Sequence, residues 1–90
     1  MKNKWTPPPW RTGSRDRVEA ATVVVGPGNR FVADCNKGLP ADVAIANAHL
    51  IAAAPDLYEA LASIENDDGR IPAAIWAMRE AALKKARGEG

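Results

Sequence analysis

The chain has 90 residues, with 12 basic and 11 acidic side chains and a net charge of +1. One cysteine (Cys35) rules out an intrachain disulfide, and one histidine (His49) beside it leaves too few ligands for structural zinc. A small domain without those staples gains stability by oligomerising or by packing on a partner, and a charge this close to neutral argues against binding driven by phosphate contacts.

Residues 1–10 read as a Pro/Trp-rich arm, and residues 11–90 as a single small α+β domain. Lys2 and Lys4 are followed by Trp5-Thr6-Pro7-Pro8-Pro9-Trp10. No apolar stretch follows the lysines, so no secretory signal is expected. The three prolines fix an extended backbone and remove three donors. Two readings of the arm stand open: its tryptophans lie back on the domain, or they dock on a neighbouring subunit or partner, as tryptophans at interface hot spots do.

Residues 17–35 read as β. Thr22-Val23-Val24-Val25 and Phe31-Val32-Ala33 flank Gly26-Pro27-Gly28-Asn29, a turn sequence in which Gly supplies positive φ and Pro presets φ. A further short strand near residues 10–12 pairs with this hairpin, joined through Gly13-Ser14-Arg15-Asp16. A hairpin alone is marginal and needs something packed on one face.

Asn36 to Pro40 form a loop into a helix that starts near Ala41. Pro40 stands near the first helical position, and Asp42 falls where a carboxylate favours the helix N-terminus. Val43, Leu50, Leu57 and Ile64 recur every seven residues, and Ala46, Ala54 and Leu61 fill that stripe. A second stripe follows Ala44, Ala48, Ile51, Pro55, Tyr58 and Ala62. The first stripe runs across Pro55, which predicts a bent or locally broken helix that stays roughly collinear. The alternative is two helices with Pro55 opening the second. One apolar face takes the hairpin; the other takes the last helix or another subunit, and the alanines suit a tight helix pair.

Asn66-Asp67-Asp68-Gly69 is a turn. Pro72 opens a final helix to about Ala86, with Ile75, Met78 or Arg79, Ala82 and Ala86 on one face and Trp76 and Leu83 beside it. Lys84, Lys85 and Arg87 complement its C-terminal dipole. The short connection predicts antiparallel packing on the preceding helix. The fold expected is therefore α+β: a short antiparallel hairpin or meander, then two to three helices that pack in an oligomer. No segment is long and apolar enough to span a membrane. With a lone cysteine, which suits a reducing compartment, this predicts a cytoplasmic protein.

No catalytic constellation is apparent, and no cofactor or metal is expected. The helical neighbours of His49 are alanines and Ile45, none able to orient a general base. Cys35, at the end of a strand, reads as a buried inert thiol and not as a nucleophile. Glu65, Asp67 and Asp68 lack the ligand spacing of a Ca²⁺ loop. Asn47, between Ala46 and Ala48 on the apolar part of the helix, stands out because a buried amide needs partners. It sets the register of a helix interface or hydrogen-bonds a ligand. The candidate ligand- or partner-binding residues are Trp5, Trp10, Arg30, Asn47, His49, Tyr58 and Arg70, with any small-molecule site formed between subunits and suited to an anionic or nucleobase-bearing ligand.

The run Ala46-Asn47-Ala48-His49-Leu50-Ile51-Ala52-Ala53-Ala54-Pro55-Asp56-Leu57-Tyr58-Glu59-Ala60-Leu61 resembles a signature common in small phage and prophage proteins of unassigned function. Those proteins begin with a Trp-Thr-Pro…Pro-Trp stretch like Trp5 to Trp10, and continue with a β segment ending like Val32-Ala33-Asp34-Cys35. They close on a helix resembling 81–89, and often carry Arg where His49 stands. The resemblance implies a non-enzymatic phage accessory protein that acts by binding. It would counter a host defence system, either by occluding a protein or by sequestering a small anionic or nucleotide signal between subunits. Its partners would be a second copy and that host protein or ligand. The alternative is a small nucleic-acid-associated regulator of phage genes that uses the basic ends.

Overall fold

The computed structural model describes residues 4–13 and 21–89. The expected strand in residues 17–20 and most of the Gly13-to-Asp16 connection lie outside these. The described chain carries a three-stranded antiparallel sheet followed by three helices. It divides into two compact units, residues 1–55 and 56–90.

In the first unit β1 (Arg11–Thr12), β2 (Val23–Gly26) and β3 (Arg30–Asp34) lie in the order β1-β2-β3. The β-branched run forms the middle strand, which needs partners on both edges and side chains that fill both faces. Accordingly Val24, Val25 and Gly26 are all buried. A 3₁₀ turn at Pro27–Asn29 joins β2 to β3. Gly28 and Asn29 there have φ of 70° and 60°, a conformation open to Gly and tolerated by Asn. Val24 pairs with Ala33 and Val25 with Phe31. Val32 is thus an extra residue in β3, a bulge that bends the strand.

The N-terminal arm lies back on the sheet. The Trp10 indole Nε1 donates to the Thr6 carbonyl at 2.9 Å. A Cβ built on Gly26 would stand 2.7 Å from Thr6 Cγ2 and 3.7 Å from Trp10 Cδ1. The arm therefore needs a glycine beneath it. Of the two readings of its tryptophans, Trp10 follows the first.

α1 (Ala41–Ala52) packs on β1 and β2. Its buried residues are Ala44 and Ala48, so the second sequence stripe is the inward one, and small side chains let helix and sheet approach closely. The heptad-spaced residues are exposed in each unit, Val43 and Leu50 at 41% and 65% in the first and Leu57 and Ile64 at 54% and 42% in the second. The helix is interrupted at Ala53, not at Pro55. α2 (Ala54–Ala62) begins one residue later with Pro55 in its first turn, where the missing N–H is harmless. The helix is thus locally broken, two residues ahead of the proline.

The second unit holds most of α2 and all of α3 (Ala73–Ala86). Asn66 builds the turn between them: its Oδ1 accepts from the Ile71 N–H at 2.9 Å, and its carbonyl accepts from Gly69 N–H at 3.2 Å. The helices are antiparallel but not tightly paired, which corrects the expectation from the alanines. They meet through long side chains and not by close backbone approach. The inward face of α3 is also rotated from the expected one. Trp76 and Arg79 are half-buried and Leu83 is buried, whereas Ile75 and Met78 are 53% and 66% exposed. No helix among the described residues is long and apolar enough to cross a membrane.

Candidate functional site

In the first unit, the end of β3, the loop after it and the second half of α1 enclose a shallow depression of about 380 Å³. It is lined by Asp34, Cys35, Lys37, Leu39, Asn47, Leu50 and Ile51. β3 ends at Asp34, whose Oδ1 accepts the Asn36 N–H at 2.9 Å. This turn carries Lys37 and Leu39 round to face α1. Cys35 is half-buried and its N–H continues the sheet to the Thr22 carbonyl at 2.9 Å. The Asn47 amide supplies one donor group and one acceptor, Lys37 a positive charge, and Leu39, Leu50 and Ile51 an apolar wall. Such a surface holds a side chain or small molecule by contact and hydrogen bonding.

Asn47 is exposed. The expectation of a costly buried amide is corrected: α1 turns Ala44 and Ala48 to the sheet and leaves Asn47 beside the outward stripe. His49 is likewise exposed. Arg30 is exposed at the start of β3, paired in register with Gly26. Trp10 and Arg30 thus both adjoin Gly26, while Trp5 is half-buried in the arm.

Tyr58 and Arg70 belong to the second unit. The Tyr58 hydroxyl accepts from Arg87 Nη1 at 3.1 Å, and Arg87 Nε lies 3.2 Å from Glu89. Glu89 first, and then Tyr58, hold the Arg87 guanidinium above its ordinary pKa. Arg70 is exposed and pairs with Asp68 at 2.9 Å. Of the seven candidates, only Asn47 lines the depression.

The second unit also has a groove of about 310 Å³, lined by Leu61, Ile64, Ile71, Ile75, Trp76, Met78, Arg79 and Ala82. Arg79 shapes it. Its Nε and Nη2 donate to the carbonyls of Leu61 and Ala62, both at 3.0 Å, and Nη1 reaches Glu80 at 2.8 Å. The guanidinium carbon lies 4.3 Å from the Trp76 ring centre. One side chain thereby caps α2, whose last carbonyls have no helical partner, and stacks on α3. The sequence hinted at this only by the Trp76–Arg79 spacing, which puts both on one face of a helix. The partnership of Asn47 with Lys37 depended on how the β3–α1 loop returns, which no local pattern encodes.

The family described as Salmonella phage P22 protein Y8K6 matches residues 1–90. The chain belongs to this family. It is a small phage protein, as the resemblance of residues 46–61 implied. No curated protein and no solved structure matches the chain. For this member of the Y8K6 family, the two units therefore supply the functional evidence: a mixed polar and apolar depression beside α1, and an apolar groove between α2 and α3.

Proposed function

We propose that the protein is a phage accessory protein that works by binding, not by catalysis, in the cytoplasm of the infected cell. It counters a host defence system, by occluding a protein target or by holding a small anionic or nucleotide signal between subunits. The observation that carries this reading is exposed aliphatic surface within each unit. Val43 and Leu50 on α1 stand in solvent in the first unit, and Leu57 on α2 and Ile64 just past its end do so in the second. Large exposed apolar side chains of this kind mark interaction sites when they cluster on a surface. Lys37 and Asn47 beside Leu50 add the charge and amide that an anionic ligand or an acidic protein surface would meet.

The nucleic-acid reading draws less support. Arg70, Arg79 and Arg87 each contact a carboxylate of this chain, which leaves them less available to phosphates.

Native mass spectrometry of protein purified from bacteria tests the proposal, followed by capture of partners from host lysate. Bound extra mass matching a small anion, or a host protein captured reproducibly and lost with Leu50→Glu, is the expected result. Turnover of a substrate, or tight association with nucleic acid that weakens steeply with salt, would overturn it.

A further inference from the structure

The groove between α2 and α3 has the form of half a helix-bundle core. Leu57 and Leu61 on α2 and Ile64 just past its end follow one another at four and three residues; Ile75, Met78 and Ala82 on α3 follow at three and four. This alternation is the seam spacing of helices that pack knobs into holes against other helices. Five of these six residues line the same groove, Leu57 excepted. The helices stand apart, bridged by Arg79 and by the Tyr58–Arg87 contact, so neither seam is closed by the other.

The unit that carries the groove spans residues 56–90, a stretch below the size at which a chain stabilises itself without a disulfide, a metal or association. That stretch has no cysteine and no histidine. We infer that a second copy of this chain closes the groove, the α2–α3 hairpins of two protomers forming a four-helix core across a twofold axis.

Three features favour a second copy over another occupant. The surface is self-complementary in kind: each hairpin offers both a groove and the projecting Ile75 and Met78 to fill its twin. The only charged residue lining the groove is Arg79, already engaged by Glu80 and two carbonyls, so two copies bring no unpaired like charges together. Exposed area points the same way. Three groove-lining residues, Ile64, Ile75 and Met78, are 42%, 53% and 66% exposed, and this apolar surface would form the centre of the ~800 Å² that a specific dimer buries per partner. This inference rests on the self-association within the functional proposal and gives it a location.

Sedimentation equilibrium on the full chain tests it, with circular dichroism reporting helix content. The wild type is expected at twice its 9.6 kDa mass. Ile75→Glu and Met78→Glu, both at exposed helical positions, are expected to sediment as monomers with their helix signal retained, and Phe31→Glu on β3 as a dimer. A monomeric wild type overturns the inference, as does a dimer that survives both groove substitutions. If one groove variant loses its helix signal, the other decides. Capture of a host protein bears on the functional proposal alone, so a monomer that still captures one would sink this inference and leave the target-occluding form of that proposal standing.

Discussion

Arg79 and Gly26 show how much of this small structure hangs on single side chains. Arg79 donates to two carbonyls at the end of α2 while lying over Trp76. Its removal leaves the Leu61 carbonyl with only the longer bond from the Ile64 N–H at 3.3 Å and takes from Ala62 the guanidinium donor it has here. Arg79→Met should cost about 2 kcal/mol in chemical denaturation, the scale of hydrogen bonds from a charged donor. Arg79→Lys should recover less than half of that loss, because an ammonium lacks the planar fork that reaches two acceptors at once. Gly26 acts through space, since a methyl there meets Thr6 Cγ2 at 2.7 Å. Gly26→Ala should therefore displace the arm at a cost of about 1–3 kcal/mol. The change would be read as a red shift in tryptophan fluorescence and earlier proteolytic cleavage near residue 10. Arg87 adds no pH sensitivity in the neutral range: its pKa is raised, so the guanidinium stays charged there.

Among the elements, α1 is the one whose two apolar stripes have different fates. Ala44 and Ala48 are buried toward the sheet, and Leu50 stands outside. Ala48→Leu should cost about 1–3 kcal/mol by overpacking. Leu50→Ala should change monomer stability by no more than about 0.5 kcal/mol, as at other exposed positions. Both are measured by urea denaturation at low protein concentration. The strands, the Gly26–Asn29 turn and the starts of α1 and α3 were legible because each is signalled locally, by β-branched runs, by Gly and Pro, or by proline at a helix opening. The choice of inward stripe was not legible, since periodicity finds an apolar face without saying what covers it. Alanine decided the matter through size: the sheet takes the stripe that lets it come closest. The rotation of α3 escaped for a related reason. Trp76 and Arg79 turn inward because a guanidinium is needed at the carbonyls of Leu61 and Ala62, a demand set by another element. Lys37 and Asn47 could not be paired from sequence, because the loop that joins them carries no periodic signal.

At the scale of the whole molecule, the described buried core is small: Val24, Val25, Ala44, Ala48 and Leu83. Four of these belong to the first unit, so amide exchange should be slowest in β2 and α1. Folding linked to association also depends on mass action. The thermal midpoint should rise with protein concentration for the wild type and stay constant for Ile75→Glu, as followed by circular dichroism across a dilution series. The two stripes of α1 also divide the history open to this lineage. At positions 44 and 48 every added methyl meets the sheet, so descent holds them to small side chains whatever the protein binds. Positions 43 and 50 bear no such burden, and drift can erase their hydrophobicity without unfolding the chain. Relatives that keep large aliphatic residues there keep them for the sake of another molecule.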